Sequence, residues 1–284
     1  MTIVASPVSA PDVVAAPTAV RGTGAGYLTT VAQSARRTIL QFFRTPQLLI
    51  MGTVQGAMFL FLFRYIFGGA IHTGSGVDYV DFLVPGFLVT MILWIGMAAP
   101  AGVAEDASTG VHDRFRSLPI PRSAVIVGRS LADTALTAWG MLIATVVAFA
   151  VGYHFNADPA QALLALALLL VAVFSFMWIF ITIGLVSGSA QSAQGMATLL
   201  VIPFAFVSSA YVPAHSLPGW MQPVANNQPL TVLSNAVRSL TLGGSHAAGI
   251  GHSTAYWVAL SLAWCAGLVV VFASLAVHRF TRPR

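Results

Sequence analysis

The sequence predicts an all-α, polytopic membrane protein: six transmembrane helices preceded by an N-terminal amphipathic helix in the membrane interface. Three observations predict it. Of 284 residues, 57% are hydrophobic and only 7% charged, whereas soluble domains carry about a quarter charged residues. Mean hydropathy is +0.83, and apolar runs of about 20 residues, enough to cross a hydrocarbon core of about 30 Å, recur along the chain. The few charges are gathered in short groups beside those runs. This excludes a soluble enzyme. It also turns the pI near 10 away from nucleic acid and toward membrane topology. All thirteen basic residues are arginine.

Residues 1–26 contain Asp12, three prolines and no basic stretch ahead of an apolar run. They are expected to form a disordered tail, neither signal peptide nor span. Over 27–46, Leu28, Val31, Ile39, Phe42 and Phe43 recur near helical spacing with Arg36, Arg37 and Arg44 between them. That pattern predicts a helix lying in the interface, before Pro46 starts the first span. Spans follow over about 47–69, 82–104, 123–153, 161–187, 196–212 and 253–277, so that 47–277 holds all six. Pro85, Pro100 and Pro203 predict kinks within or at the edges of spans. The small-residue patches at 96–102 and 184–195 allow close helix packing. Residues 213–245 form the largest loop opposite the termini, with Trp220 suited to the interface. After Pro229, Leu230, Leu233, Val237 and Leu240 share one helix side. Residues 278–284 make a short tail.

Six spans put both termini and the 105–122 loop on one side. Eleven of thirteen arginines fall there, while Asp78, Asp81 and Asp158 fall opposite with Arg64 and Arg238. By the positive-inside rule the arginine-rich side is cytoplasmic. Arg64 is expected to reach the headgroups, or else to meet Asp78 or Asp81. Asp133 is expected to pair with Arg129 at i−4. Cys265 is alone, which excludes an intrachain disulfide. The seven histidines show no metal-ligand spacing on one helix face, so no metal site is expected.

Residues 105–122 read EDASTGVHDRFRSLPIPR and hold a large share of the charge. Val111, Phe115 and Leu118 fall at i, i+4 and i+7, one apolar ridge on a helix, before Pro119 and Pro121 end it. Such a ridge suits either a membrane surface or a groove on a partner protein. With Glu105 and Gly110 ahead of it, the run DRFRSLPIPRSAVIVGRSLAD (113–133) resembles the signature of type-2 ATP-binding-cassette transporter permeases, and within them the daunorubicin-resistance exporter permeases. Glu105, Gly110, Arg114, Arg116, Pro119, Arg122, Gly128, Arg129 and Asp133 match it, and NNQPLTVLSNAVRSL (226–240) fits as well. The resemblance covers nearly all of the chain after about residue 25.

What the resemblance implies is specific. Residues 27–284 form the transmembrane domain. Residues 105–122 hold a coupling helix that docks into a separate cytoplasmic ATPase subunit, with Phe115 as apolar plug, Leu118 beside it, and Arg114, Arg116 and Arg122 at the rim. Glu105, Gly110 and Pro119 complete that partner-binding segment. ATP and Mg are bound by the partner subunit, and two permeases, identical or related, pair in the plasma (inner) membrane with both termini cytoplasmic. The 213–245 region closes the outer mouth or caps the bundle. The chain itself has no G-x-x-x-x-G-K-[ST] phosphate loop and no implied cofactor. Nearly charge-free spans favour a hydrophobic or amphiphilic drug, antibiotic or lipid as cargo over an ion. The alternative is an ion-driven secondary transporter of amphiphilic compounds. A lipid-acting membrane enzyme would need convergent His, Asp or Glu residues, which the sequence does not supply.

Overall fold

The computed structural model describes residues 26–44, 54, 56–67, 78–109, 120–244 and 250–281. Among them every regular element is a helix. In chain order these are α1 (Tyr27–Phe43), α2 (Gly56–Ile66), α3 (Tyr79–Gly96), α4 (Ala99–Ser108), α5 (Arg122–Ala150), α6 (Pro159–Val186), α7 (Ala190–Phe206), α8 (Gln222–Asn227), α9 (Pro229–Thr241) and α10 (Thr254–Thr281).

Four stretches are long and apolar enough to cross a membrane: Tyr79–Ser108, Ser123–Ala150, Pro159–Val186 and Thr254–Thr281. They correspond to the second, third, fourth and sixth predicted spans. The first predicted span is represented by the shorter α2, and part of it lies outside the described residues, as do residues 1–25 of the predicted tail. The fifth is displaced. It was expected at 196–212, but α7 begins at Ala190 because Ser189 caps it, accepting a hydrogen bond from the Ser192 N–H at 3.1 Å. It ends at Phe206, where Ser208 Oγ turns back to the Ala205 carbonyl at 2.6 Å.

Prolines act as the sequence suggests, with one sharper effect. Pro85 and Pro203 lie inside α3 and α7. Pro100 occupies the first turn of α4, where its missing N–H removes no helical bond, and the chain breaks just before it at Met97 and Ala98.

Helix α6 is apolar on every face, so it sits at the centre, against α3, α4, α5, α9 and α10. Its hydroxyls are absorbed at depth: Ser175 Oγ bonds the Val171 carbonyl and Thr182 Oγ1 the Trp178 carbonyl, both at 2.7 Å. Thr182 Oγ1 also reaches the Phe272 carbonyl of α10 at 3.1 Å, within a widened turn at Val269–Ala273 that loosens the helical bonding. The outer side of α10 exposes Leu262, Trp264, Val270, Val271 and Leu275, the surface a lipid-facing helix presents.

The sequence gives helix α9 one apolar side, Leu230, Leu233, Val237 and Leu240, and says nothing of where its polar side lies. Every residue of Pro229–Thr241 is buried, among α3, α6 and α10. The polar side is enclosed because main-chain carbonyls satisfy it. Arg238 Nε donates to the Phe82 carbonyl at 2.9 Å, and Nη2 to the Ser209 and Ala210 carbonyls at 2.8 and 2.9 Å. Its Nη1 reaches Ser209 Oγ at 3.4 Å and Asn235 Oδ1 at 3.3 Å, and the guanidinium lies 3.6 Å above the Phe82 ring. Burial pulls the Arg238 pKa down to about 9, so it stays charged at neutral pH.

Gly86 makes this approach possible. A Cβ there would collide with the Ala210 carbonyl and stand 2.7 Å from Arg238 Nη2. Gly86→Leu is therefore expected to destabilise the protein by about 3 kcal/mol through overpacking. Thermal unfolding in lipid nanodiscs would show it as a lowered midpoint.

The end of the bundle opposite the arginines is pinned by main-chain contacts. Asp81 Oδ1 accepts from the His154 N–H at 3.0 Å, and the Asn156 N–H donates to the Thr241 carbonyl at 3.1 Å. Arg64 lies 5.8 Å from the centroid of its neighbour Tyr65, while the turn after α5 takes up Asp81.

Candidate partner-coupling site

Two helical stems flank the charged segment in the chain. The first is α4, closed by hydroxyl caps: Ser108 Oγ and Thr109 Oγ1 each donate to the Glu105 carbonyl at 2.9 Å, and the Thr109 N–H joins them at 3.0 Å. Glu105 itself is exposed. The second stem is α5, opened by Arg122 immediately after Pro121, whose extended backbone sets the entry. Pro121 thus starts the second stem, where the sequence suggested only the end of a preceding helix. Gly110, Arg114, Phe115, Arg116, Leu118 and Pro119 lie outside the described residues, as does the side chain of Arg122.

The stems are joined by a chain of alternating charges. Arg129 Nε bonds Asp133 Oδ2 at 2.9 Å, the i, i+4 pair read from the sequence. Arg129 Nη1 continues to Asp106 Oδ2 at 3.2 Å, which ties α5 to α4. Asp106 is held from its other side by Arg37 of α1, with Nη2 to Oδ1 at 2.7 Å and Nη1 to Oδ2 at 3.4 Å. Side-chain exposure falls from 34% at Arg37 to 9% at Asp133, so the network is wet at one end and dry at the other. Two positive and two negative groups cancel. That is what lets them sit partly buried among apolar helices.

Helix α1 is drawn against α5 by the same arrangement. Ser34 Oγ donates to the Val125 carbonyl at 2.8 Å. Gly128 lets the two backbones meet, since a Cβ there would lie 2.5 Å from the Val31 carbonyl oxygen and 2.7 Å from Ser34 Cβ. Beyond the network the helices close over Val103, Val125, Ile126, Trp178, Ile181, Leu185 and Phe280, a second apolar cluster apart from the main core.

Sequence reasoning found one link of this network and missed the others. Arg129 and Asp133 share a helix at a spacing that announces contact. Arg37 and Asp106 stand 69 positions apart, and the one available signal was an aspartate placed in the arginine-rich side of the chain. Arg37 had been assigned only to the interfacial helix.

Residues 29–242 match the family model described as ABC-2 type transporter. The chain is 31% identical over 248 residues to the daunorubicin resistance ABC transporter permease protein DrrB1 of Streptomyces coeruleorubidus, covering 86% of this chain and 83% of that one. It is 25% identical over 172 residues to the probable doxorubicin resistance ABC transporter permease protein DrrC of Mycobacterium tuberculosis, with 60% of this chain and 58% of the other covered. It is also 26% identical over 209 residues to the putative transport permease ycf38 of Porphyra purpurea, 72% of this chain and 70% of the other.

Proposed function

The chain belongs to the ABC-2 type transporter family as a multi-pass membrane permease, and from that premise we propose that it is the membrane subunit of an ATP-driven exporter. Its cargo is a hydrophobic or amphiphilic drug, antibiotic or lipid. ATP is hydrolysed on a separate cytoplasmic subunit that docks on residues 105–122. Two permeases pair to enclose the path, in the inner membrane, with six spans each and both termini in the cytoplasm. The 213–245 region closes the outer mouth or caps the bundle.

The observation that carries this reading is the likeness along 86% of the chain to a permease named for daunorubicin resistance. The geometry adds a physical reason for the docking site. Flanking helices cross-tied by Asp106 and Arg129 can pass force into the bundle, whereas independent helices would bend. The spans carry little charge, in keeping with an amphiphilic cargo.

Cells expressing the permease with the ATPase encoded nearest to it are expected to expel daunorubicin. Efflux should stop on ATP depletion with the proton gradient intact, and persist when an ionophore collapses the gradient. The reverse pattern would establish an ion-driven transporter instead. Retention of the ATPase by the tagged permease in nanodiscs tests the partnership directly.

A further inference from the structure

We infer that the arginine-rich end of the bundle is jointed. Helix α4 and the last part of α10, Ser274–Thr281, are two arms that swing on an unbroken pair, α5 and α6, while the opposite end stays rigid. The apolar interior is divided at that level. The cluster around Val103, Ile126, Trp178, Ile181 and Phe280 is separate from the main core, and all four long apolar stretches contribute to both. Helices α5 and α6 cross the boundary as continuous helices. The other two stretches are interrupted there, between α3 and α4 at Met97 and Ala98, and within α10 at Val269–Ala273.

The interruptions have separate causes. The first follows from Pro100, which has no N–H to offer the Gly96 carbonyl. The second lets one helix face two cores. Trp257, Ser261 and Cys265 are buried along the first part of α10, and Ala276 and Phe280 along its end. An unbroken α-helix, at about 100° per residue, would carry Ala276 and Phe280 roughly 100° and 140° round from Trp257. Each residue of the widened turn advances less, which returns both to the protein side. The turn is braced only laterally, by Thr182 Oγ1 of α6 on the Phe272 carbonyl at 3.1 Å. Helix α4 leans on another side of α6, where a Cβ at Gly184 would stand 2.6 Å from Val103 Cβ. Packing between the arms is incomplete: a cavity of about 30 Å³, room for a water, lies among Val103, Ile126, Ile181, Leu185 and Phe280. The Arg129–Asp106 contact at 3.2 Å, one bond from a long side chain, limits the swing of α4 without preventing it. The opposite end is locked, because Arg238 binds α3 to α9 and to the turn after α7. Such joints serve the permease whether ATP or an ion gradient drives it.

The test is double electron–electron resonance on the full-length permease in nanodiscs, in a Cys265→Ala background. Nitroxides are placed on exposed positions in three pairs. Asp78→Cys with Ser108→Cys spans the α3–α4 break, Tyr256→Cys with Leu275→Cys spans the widened turn, and Leu164→Cys with Val186→Cys measures α6. The α6 pair is expected to give one narrow distance. The two arm pairs should spread over about 4 Å more, what an arm of about 15 Å sweeps in a swing of about 15°. Pro100→Ala restores the missing donor, so it should narrow the first pair to match α6 and leave the second broad; fraying at Ser108 would not respond to it. Thr182→Val removes the brace on Phe272, so it should broaden the second pair further and leave the first unchanged. Arm pairs as narrow as the α6 pair overturn the inference, as does a first pair that Pro100→Ala leaves broad. Equal breadth in all three pairs also overturns it, since α6 would then move with the arms. If Pro100→Ala assembles poorly, Thr182→Val decides, and an unchanged second pair overturns the inference.

Discussion

Permease carrying Phe115→Asp is expected to reach the membrane in normal amount but to retain its ATPase subunit roughly 100-fold less tightly, a loss of about 3 kcal/mol typical of a buried aromatic anchor. By sequence spacing the residue falls in the middle of the apolar ridge expected with Val111 and Leu118. In the proposed docking, the neighbouring Arg114, Arg116 and Arg122 form by contrast a rim that sets register and encounter rate. An aspartate in the centre of such a contact would have to be desolvated among apolar groups. Transport should fall with retention. Co-purification from nanodiscs and daunorubicin efflux measure the two effects separately, and normal export by the variant would remove Phe115 from the docking site.

Arg238→Met is expected to have the largest effect on stability. The guanidinium is fully buried, and it supplies donors to the carbonyls of Phe82, Ser209 and Ala210. Methionine fills much of the volume and supplies none. Leaving buried acceptors unpaired, with loss of the ring contact to Phe82, should cost about 3–5 kcal/mol. In a protein of this size that is a fall of about 10 °C in the unfolding midpoint. Arg238→Lys should fall between the two, because a single ammonium cannot reach acceptors on both α3 and the turn after α7. An unchanged midpoint for Arg238→Met would mean that those carbonyls are satisfied without the arginine.

These two sites differ in how far they could be read from the sequence. The long spans are legible because hydropathy is a property of the run itself. Helices α5, α6 and α10 lie close to where the apolar stretches begin and end, bounded by Pro121, by Asp158 with Pro159, and by Ser253. The α7 boundary was misplaced because the reading followed hydropathy through Val212 and read 184–195 only as a small-residue packing patch. Ser189 was nevertheless an available capping signal.

The burial of α9 was not legible. Its polar side gives no sign of enclosure, since the groups that neutralise Arg238 are main-chain carbonyls, which no side-chain pattern displays. The same holds for the charge network. The i, i+4 pair within α5 follows from helical geometry, whereas Arg37 and Asp106 meet only once α1, α4 and α5 have docked. Contacts between elements distant in sequence depend on packing, and packing here is set by close approaches such as Gly86 and Gly128 rather than by periodicity.

The enclosure of α9 has a consequence for how the protein is made. With 13 residues including Asn235, Arg238, two serines and two threonines, this helix is too short and too polar to partition into lipid by itself; an arginine alone costs about 3 kcal/mol during insertion by the translocon. It packs into the bundle only against a ready-made receptor. Helix α3 and the turn after α7 must already present their carbonyls, beside α6, when α9 leaves the ribosome. Helix α10, synthesised afterwards, closes over it. Biogenesis is therefore ordered: the strongly apolar helices insert first as independent units, and the segment that reads least like membrane protein is folded into place by its neighbours.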